Sequence, residues 1–136
     1  MATYVKFQSF VEKLAEGVMN LGSDTLQVAL SNAANPPSAS LDADLADFTQ
    51  IAYTNLSAQV ITTISSSQTG GTYSLVLADL VLTASGAVAP FRYVTIFDQT
   101  AAGDPLIAFF DYGSEVTLGT GETFTVDFGS SLFTMT

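Results

Sequence analysis

Phe91-Arg92-Tyr93-Val94-Thr95-Ile96-Phe97-Asp98 and, after the small-residue loop Gln99 to Asp104, Leu106-Ile107-Ala108-Phe109-Phe110-Asp111-Tyr112 decide how this chain reads. Side chains of a strand point alternately to its two faces, so a strand with one wet face alternates apolar with polar residues. These two stretches do not. Each carries apolar side chains on both faces, as a strand does in the middle of a covered sheet.

Moving outward, the same β logic holds on both sides. Glu115 to Leu118, the turn Gly119-Thr120-Gly121 and Glu122 to Phe128 read as a hairpin. Phe124, Val126 and Phe128 point one way there, and Thr123, Thr125 and Asp127 the other. Leu132 to Thr136 is placed to end a sheet. Upstream, Gln59 to Ser65 alternates, Thr69-Gly70-Gly71 turns the chain, and Thr72 to Ala84 makes one long strand or two. Thr25 to Ser31 is a further strand. One helix is expected, over residues 8–21, because Phe7, Phe10, Val11, Leu14, Ala15, Val18 and Leu21 recur at spacings of three and four. Ser9 and Glu12 fit a capping box at its start, and Gly22 suits a left-handed stop.

Residues 32–57 form an irregular excursion with Pro36-Pro37 and many small residues, which no central strand tolerates. Leu41, Leu45, Phe48 and Ile51 are spaced to face inward from a helical turn within 41–52. The excursion reads either as an arm reaching a neighbour or as a lid on its own domain. The whole predicts a single mainly β domain over 1–136, an antiparallel sandwich or barrel with a jelly roll among the options, carrying one N-terminal amphipathic helix.

Charge and chemistry narrow the function. Only Lys6, Lys13 and Arg92 oppose thirteen carboxylates, a formal net charge of −10 at pH 7, and no cationic cluster exists to meet nucleic acid or an anionic membrane. Charged residues are 12% of the chain, about half of the ~25% of ordinary soluble domains, while 48% are hydrophobic; much of the surface is therefore expected to meet other protein. The chain has no histidine and no cysteine, so the usual general base, thiolate nucleophile and soft metal ligands are missing. Asp111 and Glu115 are the best candidates for a glycosidase-like carboxylate pair, weighed against ordinary solubility at a strand end. Asp42, Asp44 and Asp47 resemble the start of a calcium loop, but its Gly and Glu positions are Asp47 and Tyr53. No catalytic residue, cofactor or metal is assigned.

Several blocks resemble a family of small tailed-bacteriophage proteins: Thr3-Tyr4-Val5-Lys6-Phe7, Phe10-Val11-Glu12, Leu26 to Asn32, Ala89 to Val94, Asp104 to Ile107, Asp111 to Ser114 and Gly121 to Phe124. The order of the blocks is more specific than any one of them, and the excursion lies outside the likeness. The resemblance implies a non-enzymatic virion structural protein, made in the host cytoplasm. Its acidity favours the outer surface of the head over the DNA-facing interior, hence a capsid decoration or cement protein that binds the major capsid protein or other virion proteins. A homo-oligomer is expected, as a trimer, because decoration proteins often cap threefold positions. A tail, baseplate or fibre component is the alternative, and a carbohydrate-binding module with an exposed aromatic platform is a second. The expected contact surface is the excursion with the residues before the helix: Tyr4, Pro36, Pro37, Asp42, Asp44 and Asp47.

Overall fold

The computed structural model describes residues 2–136. The chain runs through β1 (Thr3–Lys6), α1 (Gln8–Ala15), β2 (Leu26–Ser31), a 3-10 turn (Leu45–Asp47), β3 (Val60–Ile61) and β4 (Thr63–Thr69). It continues through β5 (Thr72–Leu77), β6 (Leu80–Thr83), β7 (Phe91–Asp98), β8 (Leu106–Val116), β9 (Thr123–Val126) and β10 (Phe133–Met135). All pairings are antiparallel, in a five-stranded sheet β1-β8-β7-β2-β3, a three-stranded sheet β10-β5-β4 and a two-stranded sheet β6-β9. No sheet closes on itself, so the architecture is sandwich-like and not a barrel.

β7 lies at the centre of the large sheet, as its two apolar faces predict, with every residue buried except Arg92. Its neighbours are β2 (Leu30 opposite Val94) and β8 (Phe110 opposite Val94). Adjacent residues of β8 serve opposite faces. Phe110 meets Tyr4 and Phe128, whereas Phe109 meets Phe7 and Tyr93. Phe124 of β9 packs edge-on against both Tyr112, at 5.0 Å, and Phe91, at 5.2 Å. Four residues of β8 lie between Asp111 and Val116 where β7 has one between Phe91 and Tyr93. Gly113, at φ +81°, takes up this bulge in a conformation other residues resist.

Three expectations are corrected. The helix ends at Ala15, not at residue 21, and Gly17 (φ +77°), not Gly22, is the left-handed stop. Met19 and Leu21 are buried from the following turn, while Val11 and Val18 face outward. The Ser9–Glu12 capping box is also absent; the N-cap is Phe7. Tertiary partners replace it: the Phe7 amide donates to Ile107 O and the Gln8 amide to Ala39 O. Finally, the turn at 119–122 forms, with Glu122 N donating to Gly119 O at 3.0 Å, but no hairpin with β8 follows. β9 pairs with β6 instead, Leu82 opposite Phe124. β8 has β7 along one edge, and β1 takes Ala108–Asp111 of the other. That second neighbour, the short strand Thr3–Lys6, is the element the sequence reading lacked.

Helix α1 is held chiefly through Phe10, buried and edge-on to Phe133 at 5.2 Å. Phe10→Ala is expected to lower stability by about 3–5 kcal/mol, as for a buried aromatic truncated to a cavity. Val18→Ala, at an exposed site, should stay within about 0.5 kcal/mol. Urea denaturation of the two variants checks both; equal losses would contradict this packing.

Candidate assembly surface

The excursion is bonded along most of its course. Ala33 N donates to Glu115 Oε1 at 3.1 Å at one end of the sheet, and Leu45 N and Leu106 N bond with Asp104 O and Ala43 O at the other. The chain then returns along the exposed edge of β2, where Ile51 N donates to Leu30 O and Gln59 O accepts from Val28 N. From there Leu56 bridges to Ala84, and Ser57 Oγ accepts from Thr83 N, tying the excursion to β6. Ala39, Leu45, Phe48, Ile51 and Tyr53 pack on the core. Within the single chain the excursion packs against its own domain, as the lid reading has it. Leu41, expected to face inward, is 82% exposed, and only Leu45–Asp47 form a helical turn.

The six residues singled out in the sequence therefore do not form one patch. Pro36, Asp42 and Asp47 share a shallow cleft of about 290 Å³. Pro37 is buried. Asp44 pairs with Lys13 of α1 on the way to its bridge with Pro105. Tyr4 stands opposite Phe110, five residues further along β8 than Pro105, or about 17 Å at ~3.3 Å per residue. Nor are the three aspartates free anions. Asp42 accepts from Ser38 N at 2.7 Å, and Asp47 accepts from Ala43 N and Asp44 N at 2.8 and 2.9 Å. Those amide bonds hold the Asp47 carboxyl below the usual carboxylate range. Among the described residues no group of three or more ligating side chains is gathered for a metal ion.

The carboxylates weighed for catalysis are similarly engaged. Arg92 grips Asp111 through Nε (2.8 Å) and an Nη atom (3.2 Å) while lying over the Tyr93 ring at 5.3 Å. This pairing lowers the Asp111 carboxyl and raises the guanidinium.

Beside Tyr4 the structure assembles a cleft that the sequence reading did not contain. Tyr4 and Phe110, Tyr112 on β8, and Thr125, Asp127 and Phe128 at the end of β9 line about 360 Å³. Burial pushes the hydroxyls of Tyr4 and Tyr112 up to about 12, with Asp127 adding to the effect at Tyr112. Both therefore stay neutral through the physiological range, and Asp127 is the cleft's ionisable carboxyl. The outward alternation of Thr125 and Asp127 was visible in sequence. Their approach to the N-terminal strand was not. No family model matches the chain, and no curated protein or solved structure matches it either.

At the far end of β7, Asp98 is fully buried. Its Oδ1 accepts from Thr100 N and Ala101 N, while Oδ2 is buried without a hydrogen-bond partner at ordinary geometry, beside the Asp24 carboxyl. Burial first, then Asp24, pushes its pKa up to about 7. A carboxyl raised above its unfolded value of about 3.9 binds its proton more tightly when folded, so its stabilising contribution is complete below about pH 4 and is lost as pH rises to about 7. Asp98→Asn retains the Oδ1 acceptor and is expected to remove this falling slope, leaving the variant more stable relative to wild type at pH 8 than at pH 4. Denaturation midpoints across that range measure it; parallel profiles would exclude the assignment. Neutralising Asp42 and Asp47 together should lower the melting temperature, because their amide partners lose charged acceptors, in contrast to the neutral effect expected of free surface anions.

Proposed function

We propose that the chain is a non-enzymatic structural protein of a tailed-bacteriophage virion, a decoration or cement protein bound to the outer surface of the head. The observation that carries the reading is where its family-like blocks fall. Five of the seven, Thr3–Phe7, Leu26–Asn32, Ala89–Val94, Asp104–Ile107 and Asp111–Ser114, are scattered in sequence yet lie on or beside β1, β2, β7 and β8, four neighbouring strands of one sheet, while Phe10–Glu12 falls in α1 and Gly121–Phe124 at the start of β9. The likeness thus covers the part of the chain that defines its fold. A non-catalytic role is supported by the lack of histidine and cysteine and by the engagement of Asp111 with Arg92 and of Glu115 with the Ala33 amide.

The partner is the major capsid protein or another virion protein, together with further copies of the chain. Exposed Val60, Ile64, Val81 and Met135 support self-association. So do β4 and β10, the outer strands of the three-stranded sheet, whose outward backbone groups have no strand partner among the described residues. In a cryo-EM reconstruction of the particle whose genome encodes this chain, the protein is expected on the outer head surface, as a trimer. Density confined to the tail would overturn the head assignment, and absence of the chain from purified particles would overturn the virion assignment.

A further inference from the structure

We propose that the cleft beside Tyr4 receives an arginine side chain presented by a basic partner protein. The molecule already holds one guanidinium by the chemistry required. Arg92 lies between the Asp111 carboxylate, at 2.8 and 3.2 Å, and the face of Tyr93, at 5.3 Å. A planar, weakly hydrated cation gains from both partners at once, from the carboxylate by paired hydrogen bonds and from the ring by its negative face.

The cleft offers the same two partners with no cation between them. Tyr4, 37% exposed and braced edge-on by Phe110 at 5.7 Å, and Tyr112, braced by Phe124 at 5.0 Å, supply the aromatic wall. Asp127 supplies the carboxylate. Its Oδ1 accepts from Gly129 N at 2.8 Å, which fixes the group, and it has no ion-pair partner among the described residues. The volume of about 360 Å³ sits at the low end of the ~300–1,000 Å³ typical of ligand pockets, suited to one inserted side chain and not to an extended ligand.

The charge of the whole chain favours the same occupant. With a formal net charge of −10 it attracts basic surfaces over distance and repels acidic ones. A sugar would also stack on aromatic rings but would gain nothing from that field. This inference does not depend on the partner being a capsid subunit, and a test on the isolated protein separates it from the virion assignment.

The test is an NMR titration of the isotope-labelled full chain with Nα-acetyl-arginine methylamide, alongside the citrulline analogue, which has the same shape without charge, and a neutral disaccharide. Saturable shifts confined to Tyr4, Tyr112, Asp127 and Gly129 are expected with the arginine compound alone. Asp127→Asn, which keeps the Gly129 contact, and Tyr4→Ala should each weaken binding about tenfold, the loss of one ion-pair or cation–aromatic contact. An unchanged amide spectrum outside the cleft would verify that each variant folds. The proposal is overturned by equal binding of citrulline, by binding of the disaccharide in place of arginine, by shifts spread over the acidic surface and unchanged in Asp127→Asn, or by no saturable shift.

Discussion

A strand that is apolar on both faces has to be covered twice, and the β7–β8 pair imposes that demand on the rest of the chain. One face is met by β9 and the turn after it, through Phe124 against Tyr112 and Phe128 against Phe110. On the other, Phe7 lies against Phe109, which also meets Tyr93. Phe7 is distant in sequence from both strands, and Phe124 from β7. Removing water from both faces at once is what makes these long loop closures favourable. The excursion belongs to the same account. Its apolar side chains add to the core, and its amides occupy the edge of β2 that β3 is too short to reach.

The charges are arranged around that core in a consistent way. Two of the three cations are spent inside the molecule, Lys13 on Asp44 and Arg92 on Asp111. Both fasten one element to another: α1 to the excursion, and β7 to β8. What remains on the surface is overwhelmingly negative. Such a surface contributes little to the stability of its own fold and much to the choice of partner, because it excludes acidic neighbours and draws in basic ones. The aromatic cleft at Asp127 is where that general preference meets a shaped recess.

Sequence reasoning reached the elements whose evidence is local. The centrality of Phe91–Asp98, the strand Leu26–Ser31, the turn at Gly70-Gly71 and the inward set Phe124, Val126 and Phe128 all follow from side-chain alternation or glycine conformation. It overran where a local pattern continued past its structural use. Val18 and Leu21 keep the helical spacing, yet the backbone leaves the helix at Gly17. It also named Ser9 as a cap when Ala39 and Ile107 supply the acceptors, because a cap made by tertiary contacts leaves no sequence signature.

What the sequence determined by itself is therefore the mainly β character, the central strand, the acidity and the lack of histidine and cysteine chemistry, since each depends only on which residues are present and how they alternate. The tertiary structure decided which strands are neighbours. β9 pairs with β6, while β1, only four residues long and too short to announce itself, takes the outer edge of β8 at Ala108–Asp111. That one pairing separates Tyr4 from the carboxylates of the excursion and sets it near Asp127. Strand pairing is a competition among edges across the whole chain, and no single segment records its outcome.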